Sequence, residues 1–372
     1  MSAAWTCDVL VLGLGPAGSR AAWFAARAGL SVVGLDRRRQ AGVPVQCAEF
    51  VPAMLGGELE EIDAVTRQRI DAMMTVVEDE VPYVTENFRG RMLDRGAFDR
   101  QLVEAARTAG ADCRFASHVR MARSDGTVVL ADGTELRGRV LIGADGPRSP
   151  VGRALGRVNA EIVETRQISV PLLRPHRATD IFLSARIPGG YGWMFPRGDI
   201  ANVGLGVAPR YRNRLKPLLE RLHENLAGEG RVGRGSLAST GGAIPVGGML
   251  DPAGRLGDVP VLLAGDAAGL ANPVTGAGIS PAVVSGTLAG EAASAWLDGD
   301  GAAIDDYADE LESVFGASIR RALSRRRAVM QCHEDGHAPG RQALRAGWIA
   351  WPEYWTDAGD PTDAKTSLES VQ

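Results

Sequence analysis

The chain has 372 residues, long for one hydrophobic core and short for three, so two intimately joined domains are expected. Hydrophobic residues make up 45% and charged residues 23%, which is the balance of a folded globular chain and excludes disorder. A formal net charge of −4 argues against nucleic acid as a partner.

Glycine is the outlier, with 47 residues, well above the usual share of about 7%. No Gly-x-y period is present, so the surplus points to tight turns and close backbone approach to a ligand. Four cysteines, Cys7, Cys47, Cys113 and Cys332, are scattered without metal-ligand spacing, and no metal is expected. The start, Met-Ser-Ala-Ala-Trp, lacks a basic n-region, so a reducing, cytoplasmic setting is expected. The longest uncharged run, residues 267–290, has the length of a membrane span. It is broken by Asn272-Pro273, Gly276, Gly278 and Ser280-Pro281, so no transmembrane segment is expected.

In chain order, Cys7–Leu12 is an apolar run broken only by Asp8. Gly-Leu-Gly-Pro-Ala-Gly follows over 13–18, then Ala-, Trp- and Phe-rich sequence to Ala28: strand, tight turn, helix. Gly29 ends that helix and residues 31–35 form the next strand, closing a βαβ unit at Asp36. A helix is expected over 95–109, with Phe98, Leu102, Val103 and Ala106 on one face. Short strands turning at Asp125-Gly126 and Asp132-Gly133 lead to the apolar residues 140–142. Residues 162–207 read as a separate antiparallel sheet, 215–226 as an amphipathic helix, 259–263 as a buried strand and 276–297 as a long Ala-rich helix. The remainder is expected to be helical, with a disordered polar tail over 357–372.

The first Gly-x-Gly-x-x-Gly, at Gly13, Gly15 and Gly18, follows a strand and opens a helix. Such glycines let a pyrophosphate approach backbone amides at the helix N-terminus, where the dipole favours negative charge, and Pro16 and Ala17 lie inside the turn. Asp36, at the end of the next strand with Arg37 beside it, would accept hydrogen bonds from a ribose diol and repel a 2′-phosphate. A second copy, Gly228-Glu-Gly230-Arg-Val-Gly233, follows an amphipathic helix instead of a strand and is set aside.

Two later segments complete a pattern. Gly143-Ala-Asp145-Gly146-Pro-Arg148-Ser149 follows a strand and precedes a short helix. Leu263-Ala-Gly265-Asp266-Ala-Ala follows another strand and leads through Pro273 to Gly276-Ala-Gly278-Ile279. In this order, over roughly residues 5–300, the three segments resemble the glutathione-reductase-like, para-hydroxybenzoate-hydroxylase-type FAD proteins. The fold class this implies is α/β: an FAD-binding Rossmann domain with an inserted antiparallel-sheet substrate domain and C-terminal helices. The FAD domain would comprise 1–75, 94–160 and 250–300, the substrate domain 76–93 and 161–249, and the helical region 301–356. The same resemblance implies that Asp145, Gly146 and Asp266 serve the ribityl chain, and that Gly276, Gly278 and Ile279 serve the pyrimidine edge. It also implies that Arg95 lies near the flavin phosphate or ribityl region, and that the strand around Val119 clamps the adenine.

Tyr191-Gly-Trp193-Met-Phe195-Pro196, then seven residues, then Gly204-Leu-Gly206, is similar to the Tyr-x-Trp-x-Phe-Pro…Gly-x-Gly pattern of geranylgeranyl reductases. Val45-Gln46-Cys47-Ala48-Glu49 stands where that family carries a cysteine close to the flavin. The resemblance implies FAD as cofactor, with Cys47 and Ala48 beside it, and hydride delivery to a carbon–carbon double bond of an apolar, isoprenoid-type substrate. Alternate residues of a strand share a face, so Tyr191, Trp193 and Phe195, followed by Pro196, could wall an apolar tunnel or simply pack on the core. Cys47 is either an inert small hydrophobe or the group whose S–H orients or protonates one alkene carbon.

His333-Glu334-Asp-Gly-His337 has zinc-protease spacing, but Gly336 and Pro339 oppose a helix there, and a solvated turn is expected. Arg320-Arg321 and Arg325-Arg326-Arg327 read as a solvated helix face, with an anionic head group or an electron-donor protein as the other reading. Trp348, Trp351, Tyr354 and Trp355 could cap the cavity, touch a membrane peripherally or pack in the core. NAD(P)H or a reduced carrier is the expected electron donor. The alternative function is a flavin monooxygenase acting on an aromatic substrate, including one borne on a peptide. A halogenase is disfavoured, because the Trp-x-Trp-x-Ile-Pro variant is absent and no lysine precedes Lys216.

Overall fold

Val9, Leu10, Val11 and Leu12 are completely buried because their strand, Cys7–Leu12, lies inside a largely parallel sheet covered on both faces. A computed structural model describes residues 6–53 and 62–356. The sheet order is Ala253–Leu256, Val259–Leu263, Gly138–Gly143, Cys7–Leu12, Val32–Leu35, Asp112–Arg114, with only the first strand antiparallel. Two helices, Pro16–Arg27 and Ile279–Leu297, pack against each other through small residues. The second begins three residues later than expected, because Gly276 is left-handed at φ +69° and Gly278 takes the N-cap position. The helix Arg95–Thr108 starts at Asp94, whose carboxylate accepts the Ala97 N–H at 2.8 Å. Gly126 and Gly133, at φ +81° and +88°, turn a three-stranded antiparallel sheet at the two Asp-Gly pairs.

The larger second sheet runs Ala238–Thr240, Ile162–Pro171, Ile200–Val207, Gly192–Arg197, Ala178–Leu183, Ala72–Val77, Tyr83–Thr85. Its ladders are antiparallel except that Ala72–Val77 pairs in parallel with Ala178–Leu183. Ala72–Val77 therefore crosses the expected boundary between residues 75 and 76 and belongs wholly to this sheet. One face is covered by the helix Leu215–Gly228 over Val170, Met194, Val203 and Leu205. The other face looks into the cavity described below.

After residue 300 the chain is helical over Ala303–Leu311 and Ala317–Glu334, joined by a π-helical turn at Glu312–Gly316. The long helix runs on through His333 and Glu334, so the turn expected over 333–337 begins only at Asp335, and Gly336, at φ +78°, separates the helix from His337. The arginine run is a solvated face only in part: Arg320 and Arg327 are exposed, whereas Arg321, Arg325 and Arg326 are half-buried. Arg326 donates to the Gly189 carbonyl, Arg325 donates to the Tyr354 and Thr356 carbonyls, Arg327 pairs with Glu161, and Arg321 lies over the Trp355 ring. Arg321 and Arg325 thus hold the last helix, Pro352–Trp355, while the helix Arg341–Ala346 is held by its own Arg341 and Arg345, which pair with Asp79 and Glu80. No helix of the described residues is long and apolar enough to cross a membrane, and no metal-holding cluster occurs among them. The tail expected to be disordered, 357–372, lies outside the described residues.

Candidate active site

A single cavity of about 1250 Å³ runs from the Gly13–Pro16 turn to the inner face of the second sheet. Gly13, Gly15, Pro16, Ala17, Asp36, Arg37, Cys47, Ala48, Arg95 and Val119 all line it, as do Asp145, Gly146, Asp266, Gly276, Gly278 and Ile279. Of the residues expected at a nucleotide, Gly18 alone is not in the lining. It is a packing glycine: a Cβ there would stand 1.8 Å from the Gly13 carbonyl oxygen. Gly13, at φ +90°, has a similar limit, since its Cβ would meet the Ala144 oxygen at 2.2 Å. Gly15 differs, because a Cβ there would meet no protein atom within 4 Å and would project into open space.

The helix Pro16–Arg27 carries no side-chain cap and no acid in its first turn, so its positive end is left for an anion. Neither of the two buried Asp145 carboxylate oxygens meets a donor in good hydrogen-bond geometry among the described residues, although Ser149 and the Val151 N–H stand close enough to favour the charged form. Burial raises the carboxyls of Asp145 and of Asp266 to about 6, although Arg95 opposes the shift at Asp266. The helix Ile279–Leu297 also begins without a cap or an acid. A glycine cradle opening on space, two uncapped helix starts and a buried acid without a well-placed donor fit an FAD-type dinucleotide.

Asp36 is more engaged than its position in the sequence suggests. It accepts the Leu14 N–H at 2.8 Å and receives Arg38 through Nε at 3.0 Å and Nη2 at 2.7 Å. Burial would raise its carboxyl, but the Arg38 guanidinium and two backbone N–H groups hold it below the usual range. Arg38 also reaches Asp99, which pairs with Arg95 at 3.0 Å, so a chain of alternating charge borders the cavity. Arg38 is one of three consecutive arginines, 37–39, and nothing in the sequence singles it out; its backbone N–H also donates to Asp36, so that contact is local, whereas its reach to Asp99 is made by the tertiary fold.

The segment 45–49 is stapled to the second sheet residue by residue. Thr240 Oγ1 donates to the Val45 carbonyl at 2.7 Å and Gln46 Nε2 donates to the Gly241 carbonyl at 2.9 Å. Gln167 Nε2 donates to the Cys47 carbonyl at 3.2 Å, and Asn202 Nδ2 donates to the Ala48 carbonyl at 3.3 Å and Glu49 Oε2 at 2.8 Å. Glu49, in the left-handed region at φ +72°, also accepts the Arg95 N–H at 3.2 Å and pairs with Arg197. Its own N–H faces the Cys47 sulfur at 3.2 Å. Strained backbone of this kind persists where surrounding contacts over-determine it, and it concentrates at functional sites.

Tyr191, Trp193 and Phe195 line the apolar part of the cavity, with neighbouring ring centroids 5.7 and 6.3 Å apart. Pro196 is not in the lining: strand alternation puts it on the face opposite Phe195. The Gly204 of the Gly-x-Gly pair has a physical reason. It stands opposite Trp193 in register, and a Cβ there would lie 2.4 Å from Trp193 Cζ2. Tyr191 donates its hydroxyl to the Thr275 carbonyl at 2.6 Å, and burial raises that hydroxyl's pKa so that it stays protonated. Trp348 packs edge-on against Tyr191 at 4.8 Å, and Ile349, Tyr354 and Trp355 complete a C-terminal cap over the cavity.

Residues 165–239 match the geranylgeranyl reductase catalytic domain. Digeranylgeranylglycerophospholipid reductase 2 of Methanopyrus kandleri is 36% identical over 343 residues, 85% of this chain and 85% of that protein. A geranylgeranyl bacteriochlorophyll reductase-like protein of Thermoplasma acidophilum, 26% identical, superposes with a TM-score of 0.78 over 91% of this chain and 90% of its own. PqsL of Pseudomonas aeruginosa, described as a probable FAD-dependent monooxygenase, is 20% identical with a TM-score of 0.67 over 91% and 98% of the two chains, and shares the fold alone.

Proposed function

From the chain's membership of the geranylgeranyl reductase family, we propose that it reduces carbon–carbon double bonds of an isoprenoid lipid, with FAD as cofactor and NAD(P)H or a reduced carrier as electron source. The observation that carries this reading is the continuity of one cavity from a dinucleotide cradle to an aromatic-walled apolar lobe. Relatives named as reductases favour it over hydroxylation or halogenation.

When bound and reduced, the flavin supplies the hydride. The chain's own residues supply the rest. The uncapped start of Pro16–Arg27 offsets phosphate charge, and Asp145 and Asp266 offer acceptors to hydroxyl groups. The start of Ile279–Leu297 places a positive dipole end at the cavity wall, where negative charge on a ring would be stabilised. Cys47 holds a proton at Sγ for the alkene carbon that does not receive hydride, so the bond gains one hydride and one proton. Tyr191, Trp193, Phe195 and Trp348 exclude water and hold the chain by apolar contact. A lipid of this class reaches the cavity from a membrane surface, so peripheral contact belongs to the same reading.

The test is anaerobic incubation of dithionite-reduced, FAD-loaded protein with digeranylgeranylglycerophospholipid and shorter prenyl lipids, followed by mass spectrometry. A gain of one hydrogen molecule per double bond is expected. Unchanged masses across the panel would remove the reductase reading.

A further inference from the structure

Three residues stand side by side on three strands: Gln167 is in register with Gly204, and Gly204 with Trp193. The middle position has no side chain, so the indole lies across the gap, and Trp193 Nε1 donates to Gln167 Oε1 at 3.0 Å. The other end of the same amide, Nε2, donates to the Cys47 carbonyl at 3.2 Å. Gln167 is only 5% exposed and lines the cavity. A buried amide in an apolar lobe is tolerated when its polar ends are bonded. Here one end goes to the aromatic wall and the other to the cysteine segment, elements 26 and 120 residues away along the chain.

We propose that Gln167 is a positioning residue that couples the Trp193 wall to the Cys47 segment, so that the orientation of the indole and the placement of the thiol are set together. A glutamine suits this task because it presents an acceptor and a donor from one rigid plane. Glutamate would keep the acceptor for Trp193 and lose the donor for Cys47, whereas leucine would lose both. One row further along the same strands, Asn202 grips Ala48 and Glu49 and accepts from Ser169 Oγ at 2.8 Å, so the segment keeps its second anchor when Gln167 is changed.

The proposal rests on reading Cys47 and Trp193 as parts of one reacting chamber, but its test needs no turnover. In the FAD-loaded full chain with Cys332→Ser, iodoacetamide reports on Cys47, since Cys7 and Cys113 are buried. Gln167→Leu and Gln167→Glu should each raise the alkylation rate of Cys47 ~3- to 10-fold, the scale of one lost hydrogen bond. Trp193→Phe, which removes the indole's hydrogen bond to Gln167 and none of those made to the cysteine segment, should raise it as well. Combined with Gln167→Leu, it should add nothing further, which is the signature of one shared interaction. Retained flavin absorbance in each variant shows that the fold is kept; should Gln167→Leu lose it, Gln167→Glu carries the same comparison. Unchanged Cys47 reactivity in Trp193→Phe, or effects that multiply independently, would overturn the coupling. Absence of any reduced prenyl product would instead sink the reductase reading while leaving the alkylation result intact.

Discussion

Gly286 of the long Ile279–Leu297 helix lies so close to Ala17 that a Cβ at position 286 would stand 2.1 Å from the Ala17 carbonyl oxygen. The obstacle is backbone and cannot rotate away. Because Ala17 lines the cavity, this helix crossing also sets the position of the nucleotide cradle. Gly286→Ala should therefore destabilise the protein by about 2–3 kcal/mol and weaken flavin binding together. Thermal unfolding and flavin titration check this; a variant with wild-type melting would show that the crossing has slack.

Gly15 makes the opposite case. Its backbone is ordinary, with φ −79°, and a Cβ there meets no protein atom within 4 Å. Gly15→Ala should leave the melting temperature of the flavin-free protein unchanged, yet lower FAD affinity about tenfold or more by filling the approach to the helix N-terminus. Equal affinity in the two proteins would place the nucleotide elsewhere.

Asp266 provides a prediction with a definite sign. Burial raises its carboxyl from 3.8 to about 6, so the folded protein binds a proton between these values while the unfolded chain remains ionised. The cost of burying the charge is thus fully present above pH 6 and absent below about pH 4. Asp266→Asn removes that cost. The flavin-free variant should melt higher than the wild type at pH 7 and at the same temperature at pH 4. A constant difference at both values would refute the raised carboxyl.

Cys47→Ala tests the thiol. With Sγ as the proton source, kcat for alkene reduction should fall about 100-fold while flavin absorbance and folding are retained. Rates within twofold of wild type would reduce Cys47 to a packing residue.

Much of this molecule was legible in advance where the signal is local. The Gly13–Gly18 turn, the buried Cys7–Leu12 and Val259–Leu263 strands and the two Asp-Gly turns follow from runs of a few residues, because strand burial and positive φ impose composition directly. The arginine run is legible only in part, for the converse reason: Arg320 and Arg327 are exposed as expected, but Arg321, Arg325 and Arg326 are not. A cluster of cations on a helix looks solvated until a second element brings carbonyls to it, as Gly189, Tyr354 and Thr356 do here.

The amino-acid order alone determined that a glycine-rich turn would open a helix after a buried strand, and that three aromatics would share one face, since both are consequences of short-range sterics and strand periodicity. It left open which polar residues would meet. Gln167 reaches Cys47 across 120 residues and Asn202 reaches Glu49 across 153, and nothing in either neighbourhood marks the partner. Those pairings exist because burial in an apolar lobe leaves each amide only the polar groups that the folded chain delivers to it, and that delivery is decided by how the two sheets close around the cavity.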